Sequence, residues 1–168
     1  MIEEWENSKL TADELWEKLK KYDQAHDIIQ CGSNGDDDSY TSDSGIVLGH
    51  AYSVIGVVEL STGDRLIKLR NPHGSDSYHG DWSDESSKWT DALRAEAGAE
   101  NNKRDGIIFL TVEDYRKEFG ASMVNKDMSN VHQDYFLMLG DDGSLAMEGE
   151  KFIETNTLHK LTITSEVD

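Results

Sequence analysis

Apolar positions along this chain follow two spacings, and turn-forming residues mark where one gives way to the other. Residues 1–10 are polar and read as poorly tied down. Thr11-Ala12-Asp13-Glu14 then sets a hydroxyl three residues ahead of a carboxylate, a capping-box pattern. Leu15, Trp16, Leu19 and Tyr22 recur three and four apart, which predicts a helix with one apolar stripe packed on the chain's own sheet. Lys18, Lys20 and Lys21 fall late in that helix, where cations complement its dipole. Residues 28–31 read as a short strand, and 32–45, rich in Gly, Ser and Asp, as a solvated, mobile loop. The run Asp36-Asp37-Asp38 lacks the glycine and terminal glutamate offsets of an EF-hand. Beyond it come Ile46, Val47 and Leu48, then Val54, Ile55, Val57 and Val58, a turn at Ser61-Thr62-Gly63-Asp64, and Leu66-Ile67-Lys68-Leu69. Two such runs about a Gly-containing turn predict an antiparallel hairpin over 46–71.

Downstream the pattern loosens. Residues 76–89 form a polar loop whose Trp82 and Trp89 are expected to be pinned on the core. Residues 92–96 are helix-compatible, 101–106 a turn and 107–110 a strand. Thr111-Val112-Glu113-Asp114 caps a short helix running through Phe119 and ended by Gly120. Farther on, 131–139 and 159–164 read as strands, with a turn at Asp141-Asp142-Gly143 between them. Few short helices among strands joined by turns predict an α+β fold, an antiparallel β-sheet or partial barrel.

Composition narrows the function classes. The 168 residues are enough for one domain with a sizeable core. The net charge is −18, from 34 acidic against 16 basic residues, which argues against nucleic acid and anionic membrane as partners. It is compatible with Ca²⁺ binding. One cysteine excludes an intrachain disulfide framework and suits a reducing compartment. No apolar run reaches membrane-spanning length, and residues 1–4 are no signal peptide. The expectation is an intracellular, cytoplasmic protein.

Chemistry gathers at the hairpin. His50, in Gly49-His50-Ala51-Tyr52-Ser53-Val54, lies on its incoming strand, and Asn71, in Arg70-Asn71-Pro72-His73-Gly74, ends its returning strand. Pairing brings the two close, and a histidine oriented by an asparagine is two thirds of a Cys-His-Asn triad. These motifs resemble the GHAYSV…RNPWG signature of calpain-type cysteine proteases. Gly80-Asp81-Trp82-Ser83-Asp84 resembles that family's G-x-W-S-D, and Asp105-Gly106-Ile107-Ile108-Phe109-Leu110 with Glu113-Asp114-Tyr115 resembles its D-G-x-F-W-M…E-D-F. Residues 13–19 and 28–31 resemble the helix and strand before the family's histidine, so the likeness runs in order from about residue 12 to 119.

The resemblance implies the histidine-bearing half of a papain-like fold. Residues 1–125 would be the C-terminal half of a protease core, and 126–168 a tail, the beginning of a following β-sandwich domain. It implies His50 as general base and acid, Asn71 as its orienting partner, and a protein or peptide substrate. The family's nucleophile lies in a Q-G-x-x-G-D-C-W motif, which this chain does not contain. Cys31, in Ile-Ile-Gln-Cys-Gly, has no oxyanion glutamine ahead and no helix after it, and reads as a buried core residue. The nucleophile-bearing half would therefore be a partner, in the same or a separate chain. The resemblance also implies a calcium site, in which Asp84 and Asp105 match two carboxylate ligands and the Lys103 carbonyl a third group. The other two acidic positions fall on Ser77 and Ile107, so the site reads as weak or degraded, with Asp76 or Asp81 as partial substitutes. The family's tryptophan after Asn-Pro, which shields the His-Asn bond, is His73 here. An imidazole there is expected to shield poorly and to compete for Asn71. Two readings follow: half of a working endopeptidase, or a non-catalytic calpain-like binding or regulatory module. A third, an acidic β-rich interaction domain without this ancestry, fits the motif order badly.

Overall fold

The computed structural model describes residues 2–75, 77–102 and 105–125, and the backbone of 147–148 and 151–152. Six strands build one sheet: β1 (Ile2–Glu6), β2 (Ile28–Ser33), β3 (Ala51–Glu59), β4 (Arg65–Arg70), β5 (Ile107–Thr111) and β6 (Phe119–Asn125). Their order is β1-β6-β2-β3-β4-β5, and every pairing is antiparallel. With β1 and β5 at opposite edges the sheet stays open rather than closing into a barrel. Three short helices complete the α+β arrangement: α1 (Ala12–Gln24), α2 (Asp91–Ala97) and α3 (Val112–Glu118).

α1 begins on the expected capping box: the Thr11 hydroxyl accepts from the Glu14 N–H, and the Glu14 carboxylate accepts from the Thr11 N–H at 2.8 Å. That bond holds the exposed Glu14 carboxyl below its usual range. Leu15, Trp16, Leu19 and Tyr22 are all buried. They pack with Tyr115 and Val112 of α3 against Ile29, Tyr52, Val54, Ile67, Leu69, Ile108 and Leu110 of the sheet. Alternation along β4 and β5 sends Leu66 and Phe109 to the other face, where they form a second core with Trp82, Trp89, Leu60 and Ala97. Both tryptophans of the 76–89 loop are thus pinned, as expected. Ring centroids of Trp82 and Trp89 lie 4.7 Å apart, edge to face.

Two expectations fail at the ends of this unit. Residues 2–10 are tied down: β1 pairs with β6 from Ile2↔Asn125 to Glu6↔Ala121. The fully buried Asn7 donates from Nδ2 to the Phe119 carbonyl at 2.9 Å, and its Oδ1 accepts from Ser122 Oγ at 2.8 Å. Arg116 clamps the Leu10 and Ser8 carbonyls. Glutamates at three of the five positions of this edge strand (Glu3, Glu4 and Glu6) gave it a polar look, although charge at an edge is how natural sheets keep other strands away. Nor is α3 ended by Gly120 in a left-handed cap. Phe119 turns extended (φ −113°, ψ 118°) and the chain passes straight into β6, which contains Gly120. Small residues (Gly120, Ala121, Ser122) hide that central strand from a hydrophobicity pattern.

Contacts divide the chain into a unit of residues 1–128 and one of 129–168. In the second, Met147–Glu148 pairs antiparallel with Lys151–Phe152. The strands expected at 131–139 and 159–164 lie outside the described residues.

Candidate active site

The hairpin forms around its expected turn, with the Leu60 N–H donating to the Asp64 carbonyl at 2.9 Å. β3 and β4 pair from Ser53↔Arg70 to Glu59↔Arg65, with one irregularity between Val54 and Gly56. His50 therefore stands just before the first residue of β3, and Asn71 just after the last residue of β4. The expectation that His50 lies on the incoming strand is corrected by one residue, with a chemical consequence. Outside the ladder, the His50 backbone bonds elsewhere: its N–H donates to Ser33 Oγ at 2.9 Å, and its carbonyl accepts the Ser33 N–H at 2.9 Å. These contacts fix the histidine to the end of β2 and leave its ring free to face Asn71.

His50 Nε2 lies 3.2 Å from Asn71 Oδ1. The surrounding bonds decide the proton's place. Asn71 Nδ2, a donor only, gives its hydrogen to the Ser75 carbonyl at 2.9 Å. Asn71 Oδ1 already accepts the His73 main-chain N–H at 3.0 Å, so the oxygen is the end turned toward His50. A carbonyl oxygen only accepts, so in neutral His50 the hydrogen sits on Nε2 and the lone pair on Nδ1. Asn71 is 2% exposed, and His50, its partner in this bond, is half-buried. Its N–H donates to the Gly106 carbonyl at 2.8 Å. Gly106 (φ +69°) permits this closeness, since a Cβ there would stand 2.7 Å from the Asn71 carbonyl oxygen.

His73 binds Asn71 through its main chain, and its ring lies over His50 instead, centroids 4.2 Å apart and planes 34° apart. The side chain expected to compete for Asn71 is thus a lid over the other imidazole. Asp38 also reaches this place, with an oxygen grouped with nitrogens of His50 and His73. Sequence reading missed it. The 34–40 loop, taken as mobile, is exposed but anchored: the Gly49 N–H donates to the Asn34 carbonyl and the Leu48 N–H to the Tyr40 carbonyl, each at 2.9 Å. Gly49 (φ +54°) lets it approach, as a Cβ would lie 2.6 Å from the Asp37 nitrogen. The glycine preceding the histidine was the available signal.

Cys31 is core. It is 4% exposed on β2, its Sγ lies 3.8 Å from the Tyr52 carbonyl, and burial pushes its thiol up to about 12. Such a thiol supplies no nucleophile near neutral pH.

The two remaining candidate ligands are engaged within the chain. Asp84 is 9% exposed, and its carbonyl accepts from Arg94 Nη2. Asp105 Oδ1 accepts the Ile107 N–H at 2.8 Å, a local turn bond. Asp81, a possible substitute, pairs with Lys88 at 2.7 Å, and Ser77 Oγ donates to the Gly45 carbonyl. Among the described residues, neither Asp84 nor Asp105 belongs to a cluster of three His, Cys, Asp or Glu ligand atoms. Lys103 and Asp76 lie outside the described residues. Among the described residues, Asp84 and Asp105 are the carboxylates that remain of the expected set, whereas Ca²⁺ takes six to eight oxygen ligands.

Comparison with known proteins agrees with the geometry. The family described as "Calpain family cysteine protease" matches residues 1–126. The "Calpain-type cysteine protease DEK1" of Arabidopsis thaliana is 35% identical over 116 residues, 68% of this chain and 5% of that protein. "Calpain-14" of Homo sapiens is 33% identical over 116 residues, 67% of this chain and 17% of that protein. The chain belongs to the calpain family of cysteine proteases. It spans only a small part of the length of these relatives.

Proposed function

We propose that this chain is the histidine- and asparagine-bearing half of a calpain-type endopeptidase, acting on protein or peptide substrates when joined to a half that carries the nucleophilic cysteine. The observation that carries this reading is the His50–Asn71 bond, with Nε2 committed to the amide oxygen and Nδ1 left with its lone pair. In this mechanism Nδ1 takes the proton of the incoming thiol, and the thiolate attacks the scissile carbonyl. The resulting imidazolium gives the proton to the leaving amine, and the acyl-enzyme is then hydrolysed by water activated at the same nitrogen. Asn71 keeps the ring in place while its charge changes. The domain division at residues 125/126 and an intracellular setting belong to the same reading. Among the described residues no helix is long and apolar enough to cross a membrane.

A calcium requirement is no part of the proposal for this half, because the family's ligand positions are only partly acidic here. The alternative, a non-catalytic module, draws on the loss of the shielding tryptophan. The burial of Asn71 weighs against it, since the amide that orients His50 is enclosed even without that ring.

The test combines purified chain with a calpain half that carries the cysteine motif, using a fluorogenic peptide. Turnover is expected from the mixture or fusion alone, absent from each half, and lost in His50→Ala. Activity of this chain alone that disappears in Cys31→Ser overturns the division of labour. A folded, assembled pair without turnover favours the non-catalytic module.

A further inference from the structure

Beside the His–Asn bond, the described residues hold one cluster of metal-capable side chains, in which Asp38 and His73 join His50 itself. One ligand atom from each lies within 4.8 Å of the others. They come from three separate segments: the acidic loop after β2, the start of β3 and the turn after β4. His50 and His73 are held through their backbone N–H groups, at Ser33 and Asn71, and Asp38 lies in the loop whose Asn34 and Tyr40 carbonyls accept from Gly49 and Leu48.

From this we propose a transition-metal site of His₂Asp type, best suited to Zn²⁺, built over the face of His50. The ligand chemistry selects the metal class. Two imidazoles and one carboxylate suit zinc and its neighbours, whereas calcium and magnesium take oxygen sets. Three protein ligands with a fourth position open is the composition of accessible zinc sites. His50 is also prepared as a ligand in a way that isolated surface histidines are not. A metal-bound imidazole normally donates its other ring N–H to an oxygen, which fixes the tautomer and raises its basicity. Asn71 Oδ1 is that acceptor, at 3.2 Å, and it leaves the Nδ1 lone pair for the metal.

The distances are close to what the ion needs. Ligand atoms of a tetrahedral zinc stand roughly 3.3 Å apart, given bonds of about 2.0–2.1 Å. Separations of no more than 4.8 Å therefore close by at most about 1.5 Å, a rotamer adjustment of the exposed Asp38 and His73 side chains rather than a backbone change. The tilted overlap of the two imidazoles changes on binding, since both nitrogens turn toward one ion.

The consequence is regulatory. Zinc on Nδ1 takes the lone pair that would accept the thiol proton, so bound metal and general-base chemistry exclude each other. Replacing the family's tryptophan by His73 thereby gives this half a brake. Metal binding stands on the geometry alone, whereas the brake rests on the proposed peptidase role, and the experiment separates the two.

Zn²⁺ is titrated calorimetrically into the full chain at moderate ionic strength. One saturable equivalent is expected, with affinity reduced at least tenfold in His73→Phe and several-fold in Asp38→Asn. Glu113→Gln removes an equal charge at an exposed remote position and is expected to change nothing. Since His73 and Asp38 are exposed, thermal melts of the metal-free variants should match the parent and exclude misfolding. In NMR spectra the ring C–H signals of His50 and His73 should shift together as one equivalent is added. Non-saturating heat, equal affinity in His73→Phe, or displacement by equimolar Ca²⁺ overturns the site. Tight zinc binding without inhibition of the reassembled peptidase leaves the site standing and overturns the brake.

Discussion

Two places in this molecule hold the polar residues expected from the sequence to carry chemistry, and they are built differently. At the mouth of the β3–β4 hairpin, His50 and Asn71 meet at 3.2 Å, and each polar atom of the Asn71 amide has a partner. On the loops beside β5, the Asp105 carboxylate accepts the Ile107 N–H, while Arg94 binds the main-chain carbonyl of Asp84 rather than its carboxylate. A site on strand ends is fixed by the sheet register, which the buried core of the unit maintains. A site on loops depends on a bound ion for much of its order. The hairpin site therefore should behave as preorganised chemistry, and the loop site as ordinary structure.

The largest expected effect that can break this contrast is Asn71→Ala. In the reassembled peptidase it should lower kcat by about 10²–10⁴ with KM little changed, because the ring loses its orienting acceptor. The isolated chain should also lose about 2–3 kcal/mol, since the His73 N–H and the Ser75 carbonyl are left without their partner. Urea unfolding measures the second, steady-state kinetics the first. Full activity in the variant removes the distinction between the two regions.

Next in size is Gly106→Val, which probes the point where the regions touch. Its positive φ alone makes a β-branched side chain unfavourable by about 1–3 kcal/mol, and the 2.7 Å approach to the Asn71 carbonyl adds to that. The expected result is a lower urea midpoint together with displaced His50 and Asn71 resonances. If stability falls while those resonances stay, the hairpin mouth does not depend on the Asp105–Gly106 turn.

The smallest effect sharpens the other half of the comparison. Millimolar Ca²⁺ at moderate ionic strength should leave the thermal midpoint of the chain unchanged. Asp105→Ala should cost only about 1 kcal/mol, the worth of its bond to the Ile107 N–H. A saturable calorimetric calcium signal that vanishes in Asp84→Asn or Asp105→Asn would reverse the assignment of these carboxylates to structure.

The sequence by itself determined the parts in which local chemistry and tertiary packing agree. Thr11 and Glu14 cap α1, its four apolar residues are buried, the turn at residues 61–64 closes the hairpin, and both tryptophans lie in a core. Helix spacing, capping and turn chemistry act over a few residues, so they can be read from a few residues. The motif order also identified the His50–Asn71 pair, and the absence of a suitable setting for Cys31 marked it as core. Only the tertiary structure decided what depends on segments far apart in the chain. β1 is a strand because β6 lies beside it, and β6 is central despite its small residues because β1 and β2 flank it. The 34–40 loop is anchored because Gly49 admits it, and His73 overlies His50 rather than competing for Asn71 because its main-chain N–H holds that amide. The strand and loop outcomes turn on an approach between backbones, and no local pattern of apolar and polar residues encodes such an approach.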